Sequence, residues 1–388
     1  MNSGLQHRRA FVVVVDGLGA GAEPDAGHYG DAGANTLAHV AQAAGGLDLP
    51  AFEHLGLGNI EALEGVVPSV APVVHGTLAH RGPGKDSTAG HWELMGVVTP
   101  SPLPAYPDGI PQRVIALLED ATGLAFCGGD AVDGLTVLDE HGPHHLATGE
   151  IILYSSVDSV VQLAAHEDVL PADALHAACA AARAALTGLD GVGRVIARPF
   201  RGTAGSFART EDRRDFAVLP PARSYLDVLS DAGVPVRAVG KFGDLFAGRG
   251  IDAQHPGSDN AEALASIDAL VDRLARGLVV ANLVDTDQLH GHRKDVAGFA
   301  AALGVIDAAL ARWIHVFGVD DLLIVTADHG VDPSMTHSDH TRERVPLLAS
   351  FAGHGGRRHD GAMADVGASV HAWLTGRDEP ALPGASFL

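Results

Sequence analysis

Residues 11–15 form an unbroken apolar and mostly β-branched run, Phe-Val-Val-Val-Val, that stops at Asp16 and the turn Gly17-Leu18-Gly19. A run that is apolar at both alternating positions predicts a strand buried on both faces, as parallel sheets bury theirs. The same pattern recurs at 234–240, 279–285, 322–326 and 345–351, and helical periodicity fills 223–233, 260–277, 295–317 and 363–374. This alternation predicts an α/β fold built on a largely parallel sheet with helices on both faces. Such sheets gather ligands beyond the carboxyl ends of their strands, and Asp16, Asp285, Asp287, Asp328 and His329 all stand at such ends.

The pattern breaks in the middle. Five prolines between residues 100 and 111 mark a linker, and Pro220-Pro221 precedes the point where the alternation resumes. The reading is a core domain of residues 1–100 and 220–388 interrupted by an inserted α+β cap domain, 101–219. Within the cap, 151–154 and 194–197 read as strands and 173–186 as an Ala-rich helix.

Composition narrows the function. The 388 residues carry 26 Lys plus Arg against 48 Asp plus Glu, a formal net charge of −22, so the surface as a whole repels nucleic acid and anionic membranes. No uninterrupted apolar stretch reaches the length of a bilayer span, and the apolar run at 11–15 is too short for a signal-peptide core. The two cysteines, Cys127 and Cys179, point to neither a disulfide framework nor a Cys-type zinc site. A cytoplasmic protein is expected, with no nucleic-acid or membrane partner.

Three features carry candidate chemistry. Thr326-Ala327-Asp328-His329-Gly330 delivers a carboxylate and an imidazole side by side at a strand end; Asp339-His340 follows, and the segment from Asp285 through Asp287 and His290 to His292 precedes it. With Asp16, these are enough Asp and His ligands for two divalent metal ions. A second feature is Gly84-Lys85-Asp86-Ser87-Thr88-Ala89-Gly90-His91, which places two hydroxyls ahead of a helical segment. Taken alone, such a hydroxyl is an N-cap; beside two metals it becomes a nucleophile, and the helix N-terminus favours an anion. The third is the arginine cluster Arg198, Arg201, Arg209, Arg213 and Arg214, fit either for phosphate or for surface ion pairs. Lys241, at the end of a predicted strand, is a site candidate in its own right.

Taken together, these segments resemble one family, the bacterial phosphopentomutases of the alkaline phosphatase superfamily. The matching stretches run in order through Val15 to Gly19, Gly84 to Glu93, Tyr154 to Glu167, Ala197 to Thr210, Gly240-Lys241, Asp285 to Asp295, Thr326 to Gly330 and Asp339 to Glu343. The stretch around Asp158 is the discriminating one, since the metal motifs alone are common to phosphatases, sulfatases and cofactor-independent phosphoglycerate mutases. The resemblance implies an alkaline-phosphatase-like core and two Mn2+ ions, one held by Asp287, His292 and His340, the other by Asp16, Asp328 and His329, with Ser87 contacting both. It places the phosphorylated nucleophile at Ser87, where the family has threonine. It also implies Ser156, Asp158 and Val160 facing the pentose, with Arg198, Arg209 and Lys241 holding the phosphate that does not react.

The implied reaction interconverts the 1- and 5-phosphates of ribose or deoxyribose through a phosphoenzyme and a pentose bisphosphate. A sugar bisphosphate, glucose 1,6-bisphosphate or ribose 1,5-bisphosphate, would prime it, and the cap would act as a lid against water. Arg201, a cation where the family tends to have an aliphatic residue, and Val157, where alanine is usual, point to a modified pentose phosphate as a variant substrate. A metal-dependent phosphatase is the alternative class, distinguished by release of inorganic phosphate.

Overall fold

The computed structural model describes residues 5–132, 136–156 and 159–388. The chain divides into two compact units, one made of Met1–Pro102 with Pro220–Leu388 and the other of Leu103–Leu219.

The first unit is built on an eight-stranded sheet in the spatial order Ala253–His255, Val236–Val239, Gly277–Leu283, Arg9–Val15, Asp321–Thr326, Val345–Ser350, Val74–Ala79, Gly361–Ala362. All pairings are parallel except those of Val345–Ser350, which runs antiparallel to both neighbours. The apolar run that starts the sequence is therefore a central strand, and its Val12, Val13, Val14 and Val15 are sealed from solvent on both faces. The strand Val74–Ala79 was not expected: its polar His75 and Thr77 and its Gly76 break the apolar pattern, and sheet pairing holds it instead.

Helix Val296–Val316 is long and apolar enough to cross a membrane by length and composition. Here it buries Phe299, Leu303, Ile306, Leu310 and Trp313 in the first unit. Its Asp307 carboxylate accepts from the amides of Ala51 and Phe52, at 2.9 and 2.8 Å, and so caps helix Pro50–Leu55 from a distance of 250 residues along the chain.

The second unit is a six-stranded mixed sheet, Phe126–Ala131, Ile151–Ser155, Val160–His166, Arg194–Arg201 and Ala208–Arg209 in order, with Arg214–Ala217 also pairing with Arg194–Arg201. Helices Gln112–Thr122 and Ala172–Ala185 bury Val114, Leu118, Leu175 and Cys179 against Val161, Leu163, Val195 and Ala197. On the opposite face Val137 and Leu138 of helix Thr136–Thr148 pack with Tyr154, Ala164 and Phe200. That helix holds Gly142 and Pro143, which hid it in the sequence.

Candidate active site

Strand register assembles the site. Val15 pairs with Leu283 and Val14 with Thr326, so three parallel strands end level, and the residues just past them, Asp16, Asp287 and Asp328-His329, meet at one edge. Beyond Leu283 the backbone takes an i→i+5 turn over Thr286–Gly291, and the His292 amide donates to the Asp287 carbonyl at 3.2 Å. Such a π-type turn brings residues five apart onto one side. His292 Nε2 accordingly lies 3.4 Å from Asp287 Oδ1, with His340 Nε2 3.5 Å from that same oxygen and 3.1 Å from His292 Nε2.

The second group is centred on His329. Its Nε2 is 3.2 Å from Asp328 Oδ2 and 3.5 Å from Asp16 Oδ1, and its ring stacks on His340 at 3.8 Å between centroids. Two sets of ligand atoms each fit within 4.8 Å: Asp16, Asp328 and His329, and Asp287, His329 and His340. His329 thus stands between the two groups. Asp16 Oδ1, Asp287 Oδ1 and Asp328 Oδ2 are buried without a well-formed hydrogen bond, the imidazole nitrogens beside them standing at 3.2–3.5 Å. Buried carboxylate oxygens left unpaired are costly unless a cation completes them, so the donor set fits divalent metal ions.

The electrostatics follow from this crowding. Burial and the neighbouring Asp328 raise the pKa of Asp16. Burial pushes Asp287 and Asp328 the same way, yet the facing imidazoles outweigh it and hold both well below the usual carboxylate range. Burial would lower His329, but the Asp328 carboxylate raises it.

Ser87 opens helix Ser87–Leu94 and is buried. Its Oγ accepts from Lys241 Nζ at 3.0 Å and lies 3.1 Å from His329 Nε2. Lys241 also pairs with Asp16 Oδ2; burial would lower its pKa, but Asp16, Asp328 and Asp287 raise it, keeping the ammonium charged. This placement revises the expectation for Lys241, which contacts the nucleophile candidate itself. The helix N-terminus also differs from expectation. Asp86 Oδ1 already occupies the amides of Thr88 and Ala89, at 2.9 and 3.1 Å, so these two donors are not open to an anion. Lys241 is the cation at Ser87 instead.

Supporting residues surround this centre. His91 lies 2.8 Å from the Ser87 carbonyl and 3.2 Å from Asp328 through Nδ1, and its Nε2 meets Asn282 Oδ1 at 3.0 Å. Asn282 in turn donates to Asp16 Oδ2 at 2.8 Å, and the Thr286 hydroxyl donates to the Asp16 carbonyl at 2.6 Å. Lys85 holds Asp31, Asp339 and the His340 carbonyl. Glu343 is sealed between Gly19 and Gly330, accepting from the Thr36 and Thr341 hydroxyls and the Thr36 and Gly21 amides. Sequence reasoning missed Asn282, Thr36 and Glu343; only the matching stretch ending at Glu343 hinted at one of them. Asp285, at a strand end like the others, is structural: it exchanges hydrogen bonds with Asn260 at the start of helix Asn260–Arg273. His290 meets Asp295, and His337 meets Asp31.

The remaining candidates belong to the second unit. Arg198 donates to Gln162 Oε1 at 3.0 Å, and Arg209 reaches the Tyr154 hydroxyl at 3.5 Å. Burial, reinforced by Arg213, lowers the Arg198 pKa to about 10. Strand alternation puts Val160, Gln162 and Arg198 on the sheet face that carries Tyr154 and Phe200. Arg201 is three residues from Arg198, on the other face, exposed and paired with Glu167. Its position therefore offers no support for a modified sugar. Ser156 closes the strand end after Ser155, and Asp158, with Val157, lies outside the described residues.

Comparison with known proteins agrees in length and order. The Metalloenzyme superfamily description matches residues 8–375. A phosphopentomutase of Anaeromyxobacter dehalogenans is 46% identical over 386 residues, covering 98% of both chains. One from Syntrophotalea carbinolica is 47% identical over 343 residues, 88% of this chain and 87% of that one. Among solved structures, Leishmania mexicana phosphoglycerate mutase aligns over 99% of this chain and 98% of its own, with a TM-score of 0.51 and 15% identity. That likeness is one of fold.

Proposed function

The chain belongs to the phosphopentomutase family of the metalloenzyme superfamily, and on that premise we propose that it interconverts the 1- and 5-phosphates of ribose or deoxyribose. The observation that carries the reading is the setting of Ser87 Oγ: buried, 3.0 Å from the Lys241 ammonium and 3.1 Å from His329 Nε2, the nitrogen that faces Asp328 and Asp16 at 3.2 and 3.5 Å.

Ser87 is the phosphoryl carrier. With Ser87 phosphorylated, the free hydroxyl of a pentose monophosphate attacks phosphorus; the bond from phosphorus to Oγ breaks, the bond to the sugar oxygen forms, and the hydroxyl proton ends on Oγ. Lys241 Nζ, hydrogen-bonded to that oxygen, stabilises the negative charge that builds there as it leaves. In the return half, Oγ attacks the other phosphoryl group of the bisphosphate; the bond from phosphorus to Oγ forms, the bond from phosphorus to that sugar oxygen breaks, and the Oγ proton ends on the sugar oxygen. His91 and Asn282 hold Asp328 and Asp16 in place by fixing opposite ends of one imidazole chain. Ser156, Asp158, Val160, Arg198 and Arg209 are assigned to the pentose phosphate.

Two divalent cations, held by Asp287, His292 and His340 and by Asp16, Asp328 and His329, supply electrophilic stabilisation of the phosphoryl oxygens when bound. Manganese is the proposed ion for this mixed carboxylate and imidazole set. A sugar bisphosphate, glucose 1,6-bisphosphate or ribose 1,5-bisphosphate, primes Ser87. The cytoplasm, where pentose phosphates are made and used, is the proposed location.

The test is a phosphorus NMR time course of the manganese-loaded protein with ribose 5-phosphate and a trace of glucose 1,6-bisphosphate. The expected result is a ribose 1-phosphate resonance without inorganic phosphate, absent from Ser87→Ala. Stoichiometric release of inorganic phosphate would make the protein a phosphatase instead.

A further inference from the structure

Among the described residues, one group of metal-ligating side chains lies outside the catalytic centre. In the second unit, Cys127 is on the edge strand Phe126–Ala131, His144 on helix Thr136–Thr148, and Glu150 in the turn between that helix and strand Ile151–Ser155. One ligand atom from each, a sulfur, an imidazole nitrogen and a carboxylate oxygen, falls within 4.8 Å of the other two.

Strand pairing produces this arrangement. Phe126 is in register with Ile151 and Cys127 with Ile152, which sets the thiol against the residue that enters the inner strand. The Cys127 sulfur lies 3.8 Å from the Glu150 carbonyl oxygen, and His144 Nε2 is 2.8 Å from Glu150 Oε2. A tetrahedral zinc ion with sulfur and nitrogen ligands holds its donor atoms about 3.5 Å apart. The three donors lie within 4.8 Å of one another, and the exposed His144 side chain can supply the adjustment to that spacing.

The geometry points to a third cation site, separate from the catalytic centre, that takes a zinc-class ion on Cys127, His144 and Glu150. Thiolate and imidazole together suit zinc, whereas the catalytic donors are carboxylates and imidazoles without sulfur. Burial and Glu150 push the Cys127 thiol up to about 11, so the ion takes the place of the thiol proton and one proton is released on binding. Among the described residues, the strand carrying Cys127 pairs only with Ile151–Ser155. A bound ion would therefore pin helix Thr136–Thr148 to a sheet edge that is otherwise held from one side.

Cobalt(II) separates this site from the catalytic one, because only a thiolate ligand produces a near-ultraviolet sulfur-to-cobalt charge-transfer band. The protein titrated to saturation with cobalt(II) is expected to develop that band with the amplitude of one thiolate-bound ion per chain. Cys127→Ser should abolish it and bind one ion fewer, while mutase turnover persists. His144→Ala, a change at an exposed side chain, should weaken cobalt binding at this site by at least about tenfold. Cys179→Ala should leave the band intact. A saturated wild-type protein without the band, a band that survives Cys127→Ser, or cobalt affinity unchanged in His144→Ala would each overturn the assignment.

Discussion

At the scale of single residues, Lys241 and Glu343 bear the sharpest consequences. Lys241 faces both Ser87 Oγ and Asp16, so Lys241→Met, which keeps the stem and removes the charge, should cut kcat by roughly 10²- to 10³-fold while the protein stays folded. Single-turnover phosphorus NMR reads this, and turnover within a few-fold of wild type would remove Lys241 from the reaction. Glu343 is fully enclosed, and burial lifts its pKa from 4.5 to about 7 despite four donors. The unfolded chain releases this proton near pH 4.5, and the folded one retains it until about pH 7. Stability from this group is therefore complete below pH 4.5 and is lost as pH rises through 7, by a total on the order of 3 kcal/mol. Denaturant unfolding from pH 4 to 8 should show that slope in wild type relative to Glu343→Gln; parallel curves for the two proteins would refute it.

At the scale of elements, the site depends on how closely helix Ser87–Leu94 approaches the end of strand Asp321–Thr326. A Cβ at Gly90 would lie 2.1 Å from the Asp328 carbonyl oxygen. Helix propensity alone favours Gly90→Ala by about 1 kcal/mol, but a clash with backbone has no flexible side chain to absorb it and costs about 1–3 kcal/mol. The clash should win. Gly90→Ala is expected to lower Tm and to depress turnover more than stability, because it moves Ser87 away from Asp328; a raised Tm with full activity would contradict this. The i→i+5 turn at Thr286–Gly291 is the other decisive element. In a regular α-helix Asp287 and His292 would point apart, and here they share one side.

At the scale of the whole molecule, three buried carboxylates meet in a protein whose net charge is already −22. Without cations, Asp16, Asp287 and Asp328 repel one another, and although Lys241 and the facing imidazoles oppose this, the pKa of Asp16 is still raised. Treatment with a chelator should therefore lower Tm, and excess manganese should restore it. At a hundredfold excess over Kd, each occupied site contributes about 2.7 kcal/mol. Differential scanning calorimetry with and without chelator checks this, and an unchanged Tm would mean that the ions add nothing to folding.

The long apolar strands, the helices between them and the type of residue at each strand end were all legible in the sequence, because buried parallel strands leave a continuous apolar signature and chemistry collects past their ends. The family could be read too, from motifs kept in order along the chain. What the sequence left open was settled by register and approach. Asp285 and Asp287 look alike in sequence, yet one exchanges hydrogen bonds with Asn260 and the other meets two imidazoles. Lys241 read as a holder of a distant phosphate and lies on Ser87; Arg201 read as part of a cation cluster and lies on the opposite face from Arg198. Asn282 and Glu343 gave little or no sign, since, apart from Thr341 beside Glu343, their partners are 191 to 322 residues away. Local pattern determines which segments are strands and helices; which side chains touch depends on long-range packing, and that is decided only when the chain closes on itself.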